Sequence, residues 1–180
     1  TYGFHVTTGY SLYFDLPELP RIEAEIENVC ACFGRDVDYA LTPDADDRIA
    51  FWGDNKDIIV LRCTPNPAML MLHTMLTARV NPLGTGSNIS RTYEQRSPAE
   101  IDPVLAARLR LYHTPYILDG WAPHFTLLMP YTGSLDAEMR SALLELFSAD
   151  PIPVESVCLL VRLDGEIHYR LHREFPLHVV

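Results

Sequence analysis

The sequence predicts an α+β domain made of two similar halves, and three observations carry that expectation. Two short strand-like stretches, Gly3-Phe4-His5-Val6-Thr7-Thr8 and Ala122-Pro123-His124-Phe125-Thr126-Leu127-Leu128, hold the same His, apolar, Thr triplet more than a hundred residues apart. Each is followed by a helical apolar pattern and then by strand patterns separated by turn residues. The composition is that of an ordinary globular chain: 180 residues, 48 % hydrophobic and 21 % charged, enough for one compact core or two small lobes that share one.

Taken in order, the first triplet strand leads through a Pro-rich stretch, Asp15 to Pro20, into a helix. Ile22, Ile26, Val29, Cys30 and Phe33 recur at helical spacing there, and Gly34 ends the run. Val37 to Thr42 reads as a strand, Pro43 to Asp47 as an acidic turn, and Arg48 to Trp52 as a second strand. After the turn Gly53-Asp54-Asn55, Asp57 to Cys63 is the most buried-looking strand of this half, with Ile58, Ile59, Val60 and Leu61 in succession. Pro65-Asn66-Pro67 opens a helix whose apolar side is Met69, Leu70, Leu72, His73 and Leu76. Asn81 to Ser97 reads as one long irregular stretch that presents Arg91 and Arg96. Ser97-Pro98-Ala99-Glu100 has the form of a helix start, and the helix it announces ends near His113, ahead of Pro115.

In the second half the His124 strand gives way to Thr132-Gly133-Ser134 and a helix with Leu135, Met139, Leu143, Leu144 and Phe147, broken by Pro151 and Pro153. Val154 to Leu163 and Glu166 to Phe175 read as a hairpin around a two-residue turn at Asp164-Gly165. His168 and His172, four apart on that strand, read as surface residues, because no third ligand stands at metal spacing.

The chemistry implied by the triplets follows from strand geometry. Side chains alternate along a strand, so His5 and Thr7 share one face, as do His124 and Thr126, while Phe4 and Phe125 point away toward the core. Two imidazoles can serve as acid and base together near neutral pH, and a Thr hydroxyl beside each can hold a phosphoryl oxygen. Net charge is −10, with Lys56 the one lysine against thirteen arginines, which argues against a long nucleic acid as partner. It leaves room for a small phosphorylated ligand held by a few Arg, with Arg91 and Arg96 as phosphate-clamp candidates. Tyr2, His113, Tyr116 and Tyr131 flank the triplets and are candidates for lining a substrate cleft. Four Cys (Cys30, Cys32, Cys63, Cys158) suit the reduced thiols of a cytoplasmic protein. No apolar run approaches the ~18 to 20 residues of a membrane span, and no signal-peptide pattern opens the chain.

The residues resemble the two-histidine phosphoesterases, which include the RNA 2′,5′-ligase/cyclic phosphodiesterase group. The mark of that family, two His-apolar-Thr/Ser-apolar motifs, is matched by His5-Val6-Thr7-Thr8, whose last position is polar, and by His124-Phe125-Thr126-Leu127. Tyr2-Gly3-Phe4-His5-Val6-Thr7, Thr114-Pro115-Tyr116 and Arg173-Glu174-Phe175-Pro176-Leu177 are similar to the branch associated with phosphonate-metabolism operons, although Thr8-Gly9 stands where that branch has Leu-Lys. The resemblance implies a single bilobal domain over 1–180, lobe one about 1–97 and lobe two about 98–180. Its antiparallel strands would line a central cleft, with helices packed outside and a pseudo-two-fold axis between the lobes. It also implies a hydrolase that needs neither metal nor cofactor. His5 and His124 would act as general acid and base, and Thr7 and Thr126 would hold the phosphate of a small cyclic phosphate or a short 2′,3′- or 2′,5′-linked nucleotide end, short RNA ends included. Two other readings compete with it. One is a catalytically silent module that binds a nucleotide or phosphosugar, and the other is a metal-dependent hydrolase that uses His and Asp.

Overall fold

A computed structural model describes residues 5–9, 11–33, 36–53, 56–96 and 101–177. Among the described residues the chain is a mixed α+β protein with antiparallel sheets and five α-helices. It divides into two compact units, and each draws on both halves of the sequence. The first unit holds residues 1–7, 38–69 and 122–154; the second holds 8–37, 70–121 and 155–180. These units do not follow the expected boundary between residues 97 and 98. The reason is strand pairing: the central strand of the first half takes a partner from the second.

That central strand is β3 (Ile58–Pro65), in the first unit. Ile59, Val60 and Leu61 are fully buried, as a run without polar alternation predicts. β1 (Ala40–Pro43) and β2 (Ile49–Trp52) pair antiparallel with β3, through Pro43 opposite Cys63 and Ile49 opposite Leu61. The acidic residues Asp44 to Asp47 form the turn that joins them. β4 (His124–Leu128) also pairs antiparallel with β3, Arg62 opposite His124, Leu61 opposite Phe125 and Val60 opposite Thr126. A bulge follows at Ile59/Val60. β5 (Ile152–Pro153) adds to β1.

The helix of this unit is α5 (Ala137–Leu146), numbered by chain order and capped by Asp136, whose carboxylate accepts the Met139 N–H at 2.9 Å. Arg140 ties it to the sheet by donating to the Ile49 carbonyl at 2.7 Å. Its C-terminal residues Leu146 and Phe147 line a small depression with Leu61 and Ile152. Leu61, Ile49 and Phe125 stand opposite one another in the ladder, so α5 lies on their face of the sheet.

The second unit carries α1 (Leu19–Ala31), which buries Ile22, Ile26, Val29 and Cys30, the positions expected from periodicity. It packs on β7 (Arg170–Pro176), the partner of β6 (Ser156–Val161). α2 (Pro67–Val80) begins where Asn66 accepts the Met69 N–H at 2.8 Å. Met69, Leu72, His73 and Leu76 are buried as anticipated, whereas Leu70 is exposed. α3 (Asn88–Glu94) and α4 (Pro103–Tyr112) complete the unit.

Several expectations need correction. Asn81 to Ser97 is not irregular: Asn81–Leu83 is a 3₁₀ turn and α3 follows it. α3 is started by Ser87 and Ser90, each side chain accepting the other's backbone N–H, at 2.9 and 2.8 Å. The expected helix start Ser97 to Glu100 lies outside the described residues, and α4 itself begins at Pro103 behind Asp102. The hairpin does turn at Asp164-Gly165, where Glu166 N–H donates to the Leu163 carbonyl at 3.0 Å. Its strands pair only from Val161 and Arg170 outward, so the connection spans residues 162–169 instead of two. His168 therefore precedes β7 instead of sharing a strand face with His172.

Candidate functional site

The two triplets meet in the first unit. Val6 forms an antiparallel bridge with Phe125. The bridge is a single pair outside the named strand pairings; continued by one residue each way, its antiparallel sense sets His5 against Thr126 and Thr7 against His124. Phe125 is buried, and strand alternation sets His124 and Thr126 on the side of β4 opposite to it. That face is the one away from α5. The histidines are half-buried, and Thr7 and Thr126 are exposed. His5 lies near enough for its charge to be felt at His124.

β3 and β2 supply the rest of the face. By register Arg62, Val60, Ala50 and Trp52 share it with His124 and Thr126. The Trp52 ring lies 4.4 Å from that of His124, centroid to centroid. Burial holds the imidazole of His124 below its ordinary protonation range, and the nearby charge of His5 adds to the effect. The carbonyl of Ala122, 2.9 Å from His124 Nδ1, acts in the opposite sense and more weakly than burial. A carbonyl only accepts, so Nδ1 carries the proton and Nε2 of the neutral ring keeps its lone pair. His124 thus presents a base, with its tautomer set by a residue two positions before it.

Arg62 is the cation closest in register to His124, but its guanidinium is engaged. Nη1 lies 3.2 Å from Asp47 and Nε 3.6 Å from Asp44, while Thr64 donates to Asp44 at 2.9 Å. The open depression around them, about 550 Å³, is lined by Asp44, Asp46, Asp47 and Arg62, and Arg140 reaches Asp47 at 3.4 Å. Cys63, next on β3, is no nucleophile, because burial pushes its thiol up to about 12.

The other sequence candidates fall elsewhere. Tyr2 lies outside the described residues. Tyr131 stacks on Phe51 at 6.4 Å and donates its hydroxyl to the Ser134 carbonyl at 2.9 Å. Phe51 points to the α5 side of the sheet, so Tyr131 packs away from the histidines, and its expected cleft role is corrected to a packing one. Arg91, Arg96, His113 and Tyr116 belong to the second unit. There Arg91 lies over the Tyr13 ring at 4.1 Å and Arg96 over Tyr93 at 4.5 Å. His113 ends α4 in the left-handed region (φ 60°), and Tyr116 N–H donates to Thr114 Oγ1 at 3.2 Å. His172 pairs with Glu23 at 2.8 Å. Among the described residues no three His, Cys, Asp or Glu cluster as a metal site would need.

Sequence reading missed Trp52 and Arg62. An Arg inside an otherwise apolar strand was the available signal for one; nothing local marked the other. Comparison with protein-family models, with curated proteins and with solved structures gives no match for this chain.

Proposed function

We propose that the chain is a metal-independent phosphoesterase of the two-histidine type, with a bilobal fold, that hydrolyses a small cyclic phosphate or a short 2′,3′- or 2′,5′-linked nucleotide phosphodiester. The observation that carries the reading is the bridge that joins the two triplets at Val6 and Phe125, with the charge of His5 felt at His124, whose ring is neutral and whose Nε2 lone pair is free of the Ala122 contact. For a 2′,3′-cyclic phosphate, His124 Nε2 takes a proton from water as the water oxygen bonds to phosphorus. The P–O bond to one ribose oxygen breaks, and His5 gives that oxygen its proton. A phosphomonoester and a free hydroxyl result, and the two rings end with their protonation states exchanged. The hydroxyls of Thr7 and Thr126 donate to the non-bridging oxygens, where charge gathers in the transition state.

The test is turnover of a panel of 2′,3′-cyclic nucleotides and cyclic ribose phosphates by the purified chain, with and without a strong chelator. His5→Ala and His124→Ala are each expected to lower kcat by roughly 10² to 10⁴-fold without unfolding the protein, and the chelator to leave the rate unchanged. Full activity in either variant would end the reading. A second reading, a silent module that binds nucleotide or phosphosugar, is favoured by one observation, the neutralisation of Arg62 by Asp44 and Asp47. It predicts saturable binding of the same compounds with no product.

A further inference from the structure

His73 is the most buried imidazole among the described residues, on α2 and 1 % exposed, and both ring nitrogens are used. Nδ1 donates to the Thr8 carbonyl at 2.7 Å, and Nε2 accepts the Leu118 N–H at 3.3 Å. The ring stacks flat on Trp121, 4.1 Å between centroids and 6° between planes. The arrangement needs the neutral ring, and burial holds it neutral by depressing its protonation.

The sequence positions of these partners give the arrangement its meaning. Thr8 is the residue directly after the first triplet. Trp121 directly precedes Ala122, whose carbonyl sets the tautomer of His124. Leu118 sits in the left-handed region at φ 55°, which is unfavourable for a branched side chain and persists only where the surroundings impose it. The hydrogen bond to His73 is one interaction that holds it there.

We propose that His73 is a positioning residue, a single ring that anchors the backbone leaving His5-Val6-Thr7 and the backbone entering His124-Phe125-Thr126. It acts through Thr8 on one triplet and through Leu118, Trp121 and Ala122 on the other, and it touches no reacting atom. Its kinetic consequence rests on the phosphoesterase reading; its structural consequence does not.

The experiment uses His73→Phe, which keeps a flat ring for Trp121 but loses both hydrogen bonds. Long-range ¹H–¹⁵N spectra of the imidazoles report the tautomer of His124 directly. In the wild type His124 is expected as the Nδ1–H form, and in folded His73→Phe as a mixture with the Nε2–H form. On a cyclic phosphate that the wild type hydrolyses, kcat is expected to fall about 10²-fold with KM little changed, the signature of displaced groups instead of lost binding. A folded His73→Phe with the wild-type His124 tautomer overturns the proposal, whatever its activity. A wild type that hydrolyses none of the cyclic phosphates removes the functional reading, and the tautomer comparison still decides the role of His73. Where His73→Phe does not fold, Trp121→Leu loosens the same link from the other side: a changed His124 tautomer supports the proposal, and an unchanged one overturns it.

Discussion

At the scale of single residues, the protonation of His124 is set by what surrounds it, and the ring of Trp52 lies against it. The indole 4.4 Å away excludes water from one side of the imidazole, and desolvation is the largest cause of its depressed protonation. Trp52→Ala should therefore raise the His124 pKa back toward its ordinary 6.5, read from a proton NMR titration of the ring. If turnover depends on neutral His124, the acid limb of the kcat/KM profile moves up with it. A His124 titration identical in wild type and variant would show that other groups supply the burial. The alternation of side chains made each His and its Thr legible from sequence as one side of one stretch, because alternation is a local property of a strand. Trp52 and Arg62 joined the side of His124 only through the registers of β2 with β3 and of β3 with β4, and register joins residues far apart in the chain. Tyr131 misled for the opposite reason: it is close to β4 in sequence, but the chain has turned to the other face by the time it is reached.

Elements differ in how far local sequence determines them. α1 and α2 were legible because their apolar residues recur at helical spacing and end up buried. α3 has no such stripe. It rests on the Ser87/Ser90 capping pair, in which Ser replaces the more recognisable Glu or Gln, and so its stretch reads as loop. α4 buries none of its residues, which leaves its termini to account for more of its stability. Asp102 accepts from both Val104 N–H, at 2.9 Å, and Leu105 N–H, at 3.2 Å. Asp102→Ala should lower the stability of the protein by about 1 kcal/mol, measured as a lower urea midpoint at unchanged slope. An unshifted midpoint would mean that α4 is fixed by contacts other than its cap. The β6–β7 hairpin shows the limit of turn chemistry. Asp164-Gly165 forms the turn, with Gly165 at φ +85°, but the ladder closes several residues further out. A turn signal locates a reversal; the packing of the strands decides where pairing starts.

For the molecule as a whole, much of the order of elements was legible, α3 and β5 apart, and their grouping was not, since β3 from the first half and β4 from the second hydrogen-bond in one sheet. A consequence of folding the chain this way is that two imidazoles, the buried His73 and the half-buried His124, are held in states that resist protonation. Both have folded-state pKa values below the ordinary 6.5, so as pH falls through 6.5 the unfolded chain binds protons that the folded protein does not. The stability these rings contribute is present above 6.5 and is lost progressively as pH falls toward their folded values. The sign is opposite to that of a histidine gaining a carboxylate partner. Glu23, held low by its hydrogen bond from His172, acts in the same sense but only below its ordinary 4.5, outside the window where the imidazoles titrate. Relief of the −10 net charge on acidification runs the other way, but its main part waits for the carboxylates to protonate near pH 4 to 5. Urea midpoints should therefore fall between pH 7.5 and 5.5 in the wild type. In His73→Gln, which removes one of the two groups, the fall should be shallower even if the variant is less stable at pH 7.5. Equal slopes in the two proteins would mean that His73 takes up its proton as readily in the folded state as in the unfolded one, and would remove the neutral clasp on which its two hydrogen bonds depend.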